Sequence, residues 1–478
     1  MFTQIPINEH VVQYEIDPQL TKQLESLKVA FMHHPNSSVD TRISLLKKIR
    51  TQLVTAEHDF IAASNKDFGN RCTFDTQMAD FMPVIGGLDH IIKHLKSWLK
   101  PSKRKVGIQF VPSQAHVEYV PKGVVGVISP WNYPIQLALM PVLTALAAGN
   151  KVMLKLSEYT PATNQVIKSV LEPFSDHCCV MEGGPAVAKS FSAIPFDHLF
   201  FTGSTEIGKH VMRAAANNLV PVTLELGGKS PIIVMDDADI KHAAKSIVFG
   251  KTANAGQICV APDYLLVHEK CKGELISEIK KHYKKQFKLG ANSDNLTSII
   301  NQQQYERLIE LIGDALHNGA EVWSEPHSEN NETRKLGLHL IDNALDKARV
   351  HSEEIFGPLL PIKTVSSFDE ALKGIKENPN PLASYLFTED KTIIKRAERE
   401  LQCGGLVIND VLLHVAVEDL PFGGVGTSGM GQYHGKEGVL TFSHAKSVFK
   451  SGSLGKLRMR LLLSRSKLLT WFVKTLQK

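Results

Sequence analysis

The sequence lacks the cysteine patterns that mark metal sites and disulfide frameworks. Its 478 residues contain six cysteines, with no C-x-x-C pair and no cluster of cysteines and histidines. Zinc ribbons and disulfide-rich secreted scaffolds are therefore excluded, and no metal is implied. The N-terminus also lacks a basic segment followed by an apolar one, which argues against a secretory signal. We expect a cytoplasmic protein with free thiols.

Acidic residues are absent from the last 29 positions of the chain. The segment from Lys450 to Lys478 holds eight Lys or Arg, so the net charge of +5 comes from this tail and the remainder is mildly acidic. A basic balance confined to a tail does not indicate nucleic-acid binding by the main body. Apolar runs in the tail are also far shorter than the ~20 residues that a membrane-spanning helix needs.

What the sequence does contain is an alternation of short apolar runs and helical segments. Residues 19–98 carry apolar positions at three- and four-residue spacing, which predicts helices, and residues 106–123 alternate around a polar turn, as a hairpin does. From Gly123 the apolar runs suit strands buried on both faces, so we predict a doubly wound parallel sheet with a nucleotide site at its carboxyl edge. A second α/β stretch covers about 230–416. The predicted strands of the first sheet are GVVGVIS, KVMLKLS, CCVMEGG, HLFFTGS and VTLELGG.

Two motifs that follow these strands suit a dinucleotide. In FTGSTEIGKHV, Gly203 and Gly208 bracket a strand-to-helix turn, where backbone amides and the helix N-terminus attract a phosphate. The spacing differs from the usual dinucleotide fingerprint, and a tight turn alone would also require glycine. In KLSE, Glu158 can accept hydrogen bonds from both hydroxyls of an adenosine ribose and would repel a 2′-phosphate, with Lys155 nearby. A solvated charge pair is the alternative for these two residues.

Three further residues have the chemistry that acyl-group catalysis requires. Asn132, in the proline-stiffened SPWNYP, offers an amide that can donate to an oxyanion, although a structural turn would also explain the prolines. Glu225 lies in an apolar run, so its pKa should rise and it is a candidate base, or else it forms a structural ion pair with Lys229. Cys259, in GQICVAP, is either a nucleophile or one more buried thiol.

These motifs, together with EEIFGP and LPFGGVGTSGMG, resemble the aldehyde dehydrogenase superfamily in order and spacing, from about residue 20 to residue 448. PVIGGLDHIIKHLKSWLKP and HVMRAAANNLVPVTLELGGKSP are similar to coniferyl aldehyde dehydrogenases, near the dimeric class 3 branch. The resemblance implies an α/β aldehyde dehydrogenase-like fold, with a doubly wound Rossmann-like cofactor domain, an α/β catalytic domain and a small β oligomerisation arm. The implied boundaries are 1–103 and 121–228 for the NAD-binding domain, 229–416 for the catalytic domain, 104–120 and 417–449 for the arm, and 450–478 for a basic amphipathic tail.

The same resemblance implies NAD-dependent oxidation of an apolar or aromatic aldehyde to its carboxylic acid. Coniferaldehyde and medium-chain aliphatic aldehydes are the expected substrates, with NADP as a weaker cofactor. Cys259 is then the nucleophile, Asn132 the oxyanion donor and Glu225 the general base, while the other five cysteines are expected to be packing thiols. The implied cofactor residues are Lys155 and Glu158 at the adenosine ribose, Gly203, Ser204 and Gly208 at the phosphates, and Glu354 and Phe356 at the nicotinamide ribose and ring.

Two other functions compete with a dehydrogenase: a cysteine hydrolase that uses the same thiol without redox chemistry, and a catalytically idle scaffold. The joint presence of catalytic and ribose-binding positions disfavours both. Two positions depart from the family pattern. Leu156 stands where relatives commonly have proline, with little expected effect on cofactor binding. Val439 stands where they often have phenylalanine, which we expect to reshape the substrate entrance.

The resemblance also implies a homodimer, to which the edge of the predicted hairpin would contribute. The tail at 456–478 alternates basic and apolar residues, which suits a peripheral contact with an anionic membrane surface. A C-terminal helix packed on the partner subunit is the alternative. The side chains that would insert into the membrane are Leu468, Leu469, Trp471 and Phe472.

Overall fold

The computed structural model describes residues 16–464, 471, 474 and 475. Leu468, Leu469 and Phe472, which we expected to insert into a membrane, lie outside the described residues. Among the residues that are described, no helix combines the length and apolar character needed to cross a membrane.

Helices precede, separate and cover the strands. Several begin at side-chain caps that their sequences supply: the Asp17 carboxylate accepts from the Gln19 amide, and the Ser38 and Asp239 side chains cap later helices in the same way. The α-helices are α1 Pro18–His33, α2 Val39–Thr55, α3 Glu57–Phe68, α4 Thr73–Thr76, α5 Met82–Trp98, α6 Gln136–Ala147, α7 Pro161–Leu171, α8 Pro185–Ser192, α9 Thr205–Ala216, α10 Ile240–Thr252, α11 Lys272–Gln286, α12 Gln302–His317, α13 Phe368–Lys376, α14 Lys391–Glu400, α15 Gly435–Thr441 and α16 Gly455–Ser464.

Within the described part of the chain, the strands form two large sheets, one small antiparallel sheet and a two-stranded ribbon. They are β1 Ser102–Arg104, β2 Gln114–Pro121, β3 Val124–Ile128, β4 Lys151–Lys155, β5 Cys178–Met181, β6 His198–Thr202, β7 Val222–Glu225, β8 Pro231–Val234, β9 Tyr264–His268, β10 Glu321–Trp323, β11 Glu329–Asn330, β12 Lys335–Leu336, β13 His339–Asp342, β14 Leu359–Val365, β15 Ala383–Phe387, β16 Gly405–Ile408, β17 Gly429–Met430 and β18 Ser443–Lys450.

The first large sheet has the order β17-β7-β6-β3-β4-β5. Strands β3 to β7 are mutually parallel and match the five predicted apolar runs, which confirms the doubly wound arrangement. The strand order reverses direction around β3, because β4 and β5 lie on one side and β6 and β7 on the other. A crevice for a ligand is expected at the carboxyl ends of the strands beside this reversal.

The second large sheet has the order β10-β13-β14-β9-β8-β15-β16 and is parallel except for its edge strand β10. Its central strands are fully buried, with apolar side chains on both faces, as covered parallel strands require. The second α/β unit that the sequence predicted is therefore present. The exact domain boundaries stay predictions.

The predicted hairpin is present in part. Its second strand is β2, but the antiparallel partner of β2 is β1, which lies before the predicted range of 106–123, and Ile108–Phe110 form a 3-10 turn. The C-terminal strand β18 joins this pair of strands, pairing with β2 along eight residues from Ser443 to Lys450. The resulting order is β1-β2-β18, which places residues just before the basic tail beside residues near the start of the first sheet.

Candidate active site

A cavity of about 930 Å³ opens at the carboxyl ends of the first sheet and reaches residues of the second. Its volume lies within the range of cofactor and small-molecule sites. The wall brings together nine of the ten residues that the sequence assigned to catalysis or cofactor binding, and Gly208 is the exception. The nine are Asn132, Lys155, Glu158, Gly203, Ser204, Glu225, Cys259, Glu354 and Phe356.

Cys259 follows α10 by way of a short turn in which Asn254 and Ala255 adopt left-handed backbone conformations. Burial raises the pKa of the Cys259 thiol to about 12, and the nearby carboxyl groups of Glu354 and Glu225 act in the same direction. The thiol is therefore protonated at neutral pH in this arrangement. A nucleophilic role requires a base or a positive charge close to the sulfur.

Glu225 is the last residue of β7, and its buried carboxyl group is the candidate general base. Burial raises its pKa well above the usual range, and among the described residues neither carboxyl oxygen has a hydrogen-bond partner. The alternative ion pair with Lys229 is absent, because the Lys229 ammonium pairs with Asp263 and donates to the backbone carbonyls of Val350 and Glu353. The carboxyl group is left unpaired at the cavity, where it can exchange a proton.

Asn132 is held through its own backbone carbonyl. That oxygen accepts from Arg71 Nη2 at 3.1 Å and from Asn254 Nδ2 at 3.0 Å, while the Asn132 side-chain amide donates to the Gln257 carbonyl at 3.1 Å. Arg71 is fully buried and pairs with Asp80 at 3.3 Å. The amide is thus fixed beside the loop that carries Cys259, where an oxyanion donor is needed.

The end of the cavity that would hold an adenosine is defined by Lys155 and Glu158. Lys155 Nζ donates to Glu158 Oε2 at 3.1 Å; Lys155 is buried, whereas the Glu158 carboxylate is partly accessible. Ser204 caps α9, since its hydroxyl accepts from the Ile207 amide at 3.4 Å. A helix N-terminus and a carboxylate at one end of a cavity suit a phosphate and a ribose respectively.

The two glycines of the turn have different roles. A Cβ on Gly203 would lie 2.5 Å from the Phe201 ring, so glycine at this position leaves room for that ring beside the cavity. A Cβ on Gly208 would lie 2.6 Å from the Leu226 side chain. Gly208 therefore lets α9 pack closely on the chain that follows β7, which explains why it does not line the cavity.

Glu354 and Phe356 also line the cavity, and they lie in a strained and tightly held segment. Phe356 has a φ of +46° and its ring meets Trp131 edge to face at 5.4 Å. Arg307 donates to the carbonyls of Glu354 at 3.2 Å and Ile355 at 2.7 Å. Burial, followed by the neighbouring Asp263, raises the pKa of Glu354 to about 7.

Sequence reasoning missed Arg71 and Arg307, since each acts on the site through backbone carbonyls rather than through a motif of its own.

The prediction for Val439 was wrong. Val439 is fully buried in the core where α15 packs on α5 and α6, and it does not line the cavity. Leu156 is likewise buried. Cys178 and Cys271 are buried free thiols, as expected of packing residues.

No group of three or more metal-ligating side chains occurs among the described residues.

Comparison with known proteins then identifies the family. The aldehyde dehydrogenase family profile matches residues 12–448. A probable coniferyl aldehyde dehydrogenase of Pseudomonas aeruginosa is 46% identical over 447 residues, covering 92% of this chain and 94% of the relative. Class 3 members are also similar.

Solved structures agree with the sequence comparison. A Staphylococcus aureus AldH in its substrate-bound state superposes with a TM-score of 0.87 at 38% identity, covering 91% of this chain and 94% of the other. The NAD-dependent aldehyde dehydrogenase of Sinorhizobium meliloti superposes with a TM-score of 0.82 at 25% identity, covering 91% and 87%. The chain is an enzyme of the aldehyde dehydrogenase family, similar to coniferyl aldehyde dehydrogenases and to the class 3 branch.

Proposed function

We propose that this aldehyde dehydrogenase oxidises an apolar or aromatic aldehyde to its carboxylic acid, with NAD as the hydride acceptor. The observation that carries the proposal is one cavity shared by a cysteine thiol, an unpaired buried carboxyl group and a fixed amide, with two further carboxyl groups, Glu158 and Glu354, in its wall. A hydrolase would need the first three groups, but it would have no use for Glu158 and Glu354.

In the proposed reaction Cys259 loses its thiol proton to Glu225 and its sulfur bonds to the aldehyde carbon. The oxygen becomes an oxyanion, which the Asn132 amide and the Cys259 backbone N–H stabilise. NAD, when bound, supplies the acceptor for the hydride that leaves this carbon. Cys259 then holds a thioester, because the carbon–oxygen double bond re-forms.

The second half of the reaction is a hydrolysis. Glu225 returns its proton to solvent and removes one from a water molecule, whose oxygen bonds to the thioester carbon. The carbon–sulfur bond breaks, the acid leaves and Cys259 regains its thiolate. Burial raises the pKa of Glu225 well above the usual range, which makes the carboxylate a stronger proton acceptor for this alternation.

The test of the function is Cys259→Ala. We expect the variant to form no NADH from any aldehyde and to bind NAD⁺ with unchanged affinity in a fluorescence titration, because the thiol contributes chemistry and not cofactor contacts. Cys179→Ala, which changes a partly exposed thiol outside the cavity, is the matched control. Turnover by Cys259→Ala within about tenfold of the parent, a difference of about 1.4 kcal/mol in the barrier, would refute the nucleophile.

We propose NAD rather than NADP as the preferred cofactor because the Glu158 carboxylate repels a 2′-phosphate. Glu158 is partly accessible and paired with Lys155, so the preference is a matter of degree. The ratio of kcat/KM for NAD⁺ and NADP⁺ measures it. Glu158→Gln should move the ratio toward NADP⁺, and a parent enzyme that prefers NADP⁺ would overturn the ribose assignment.

For the substrate we propose coniferaldehyde-like aromatic aldehydes, with medium-chain aliphatic aldehydes as the second choice. Leu137 and Trp131 supply apolar wall beside Cys259 and Asn132, and the Pseudomonas relative bears the coniferyl name. Specificity ratios across coniferaldehyde, benzaldehyde and aliphatic aldehydes decide between the two. Strong selectivity for acetaldehyde or a semialdehyde would contradict both.

The remaining proposals concern assembly and location. We propose a homodimer in the cytoplasm, with residues 104–120 and 417–449 in the subunit contact and with the tail at a membrane surface. Light scattering at micromolar concentration tests the dimer, and a monomer would refute it.

A further inference from the structure

A buried ion pair between Lys229 and Asp263 lies at the amino ends of three adjacent strands of the second large sheet. Lys229 precedes β8, Asp263 precedes β9, and the 350–356 segment leads into β14. These strands are parallel neighbours in the order β14-β9-β8, so the three segments meet at one edge of the sheet. The two side chains are 6% and 4% exposed within the single chain, so their burial does not depend on a partner subunit.

Both members of the pair bind the backbone of the 350–356 segment. The Lys229 ammonium donates to the carbonyls of Val350 at 3.0 Å and Glu353 at 2.9 Å. The Asp263 carboxylate accepts from the Ile355 amide at 2.8 Å. Since Asp263 is the third acceptor for the ammonium, all three hydrogens of that group are used. The pair therefore fixes the segment from two directions.

Each of the three segments carries part of the proposed site close to the ion pair. The base lies four residues before Lys229, the nucleophile lies four residues before Asp263, and the nicotinamide-side residues flank Ile355. These groups are, in turn, Glu225, Cys259, and Glu354 with Phe356. The carboxyl group of Glu354 also fills the space that a Cβ on Gly227 would need, between the base and Lys229. One ion pair thus supports the base, the nucleophile and the nicotinamide side together.

The physical chemistry of buried ion pairs favours positioning over stability as the role of this pair. The cost of taking two charges out of water offsets much of their attraction, and apolar side chains of similar volume often replace such pairs without loss of stability. Apolar side chains cannot supply the three directed hydrogen bonds to the 350–356 segment. Lys251, the other buried cation that acts on Asp263, makes none of these bonds.

We infer that Lys229 and Asp263 are positioning residues, which align the nicotinamide side of the cavity with the Cys259 sulfur. Hydride transfer depends on this alignment, because the aldehyde carbon bound to Cys259 must face the acceptor held beside the 350–356 segment. A misplacement of about 1 Å can lower such a rate by about 10²-fold. The inference rests on the proposed function and adds to it the two residues that hold its parts in register.

Two double variants test the inference, and each removes both charges of the pair so that neither remains unpaired. The apolar double variant, Lys229→Met with Asp263→Leu, loses all three bonds to the 350–356 segment. The amide double variant, Lys229→Met with Asp263→Asn, keeps an acceptor for the Ile355 amide. The matched control is Lys272→Met with Asp342→Leu, which removes a partly buried ion pair outside the cavity.

Hydrogen exchange of the cofactor-free protein is a readout that does not depend on turnover. We expect the Ile355 amide to exchange at least about tenfold faster in the apolar double variant, because opening of the segment no longer breaks a hydrogen bond. Exchange in the amide double variant should be closer to that of the parent. Peptides from β3 and β6, in the other large sheet, should be unaffected in both variants.

Stopped-flow measurement of the first turnover separates positioning from stability. With saturating NAD⁺, a misfolded fraction lowers the amplitude of NADH formation, whereas misalignment lowers its rate constant. We expect the rate constant to fall about 10²-fold in the apolar double variant and about tenfold in the amide double variant. An aldehyde deuterated at its carbonyl carbon should react more slowly in both, which identifies hydride transfer as the affected step. The control should match the parent.

Three results would overturn the inference: a parent-like rate constant in the apolar double variant, a loss of amplitude alone, or unchanged exchange of the Ile355 amide. If the apolar double variant does not fold, the amide double variant decides, and a parent-like rate constant there counts against positioning. A parent enzyme that forms no NADH from any aldehyde would instead refute the proposed function, and that result precedes any measurement on the variants.

Discussion

At the scale of single residues, the site depends on buried charges whose protonation is shifted by their surroundings. Glu354 is the clearest case, because burial and Asp263 raise its pKa to about 7. A carboxylate accepts hydrogen bonds from both hydroxyls of a ribose, whereas the protonated acid is a poorer acceptor. Cofactor affinity should therefore depend on pH in the physiological range.

We expect the Kd for NAD⁺ to fall as the pH rises through about 7, since Glu354 then loses its proton and becomes the better acceptor. Fluorescence titration from about pH 6 to about pH 8 measures this directly, without the rate steps that involve Cys259. Glu354→Gln should bind NAD⁺ weakly and with a flat pH dependence. A flat dependence in the parent enzyme would show that the ionisation of Glu354 does not control binding.

Arg71 gives a second prediction at this scale, because it holds the Asn132 carbonyl and is paired with buried Asp80. Replacing both charges, Arg71→Met with Asp80→Leu, avoids leaving an unpaired buried carboxylate. We expect kcat to fall by up to about 10²-fold, as when an oxyanion donor is displaced, with the Kd for NAD⁺ unchanged.

The control for Arg71 is Arg50→Met, which removes a surface arginine paired with Asp89 and should leave kcat unchanged. Circular dichroism distinguishes a loss of positioning from a loss of fold. A double variant that is folded and fully active would show that Asn132 is positioned by other contacts.

At the scale of elements, the sequence predicted the strands of the first sheet, and the features that it did not predict share one cause. The five parallel strands of the first sheet are mostly apolar, and β3, β4 and β6 are buried at every position, so their sequences were sufficient to predict buried strands. Strand β18 is mostly exposed and forms because β2 offers it hydrogen bonds, a condition set by the fold and not by its own residues. Sequence analysis missed Arg71 and Arg307 for the same reason, because their contacts with the site are also set by the fold and not by neighbouring residues in the chain. The side chains that line the cavity were predictable because they occur in motifs whose order and spacing can be read from the sequence.

The packing of α9 gives the prediction at this scale. Gly208→Ala gains about 1 kcal/mol of helix propensity but places a Cβ 2.6 Å from the Leu226 side chain, and such overpacking costs about 1–3 kcal/mol. We expect a net loss of stability, together with weaker NAD⁺ binding as the N-terminus of α9 shifts. Denaturant unfolding and cofactor titration measure the two effects.

Gly313→Ala in α12 is the matched control, because no atom lies within 4 Å of the added Cβ. This variant should be stabilised by about 0.5–1 kcal/mol through helix propensity alone. If Gly208→Ala behaved in the same way, the close contact between α9 and Leu226 would not be limiting.

At the scale of the whole molecule, the cavity joins the two large sheets. Lys155 and Ser204 come from the first sheet and its helices, whereas Arg307 and Phe356 come from the second α/β unit. A cofactor that contacts both walls should stabilise both units at once. At a concentration of 100 Kd the gain is about 2.7 kcal/mol.

Calorimetry of Cys259→Ala, the variant that we expect to be inactive, tests this prediction. We expect NAD⁺ to move the whole unfolding transition to a higher temperature, and Glu354→Gln to reduce that shift. Two separate transitions, of which only one responds to NAD⁺, would show that the cofactor is held by one unit alone.

The pairing of β2 with β18 also has a consequence for how the chain is made. More than 300 residues separate Pro121 from Ser443, and translation proceeds at about 5–20 residues per second. The edge of β2 that pairs with β18 is therefore without its partner strand for tens of seconds during synthesis. During that interval β1, with Lys103 and Arg104, covers one edge with positive charge, while the other is open to any strand that arrives first. The order of synthesis makes the small sheet the last part of the fold to close and the part most exposed to mispairing between nascent chains.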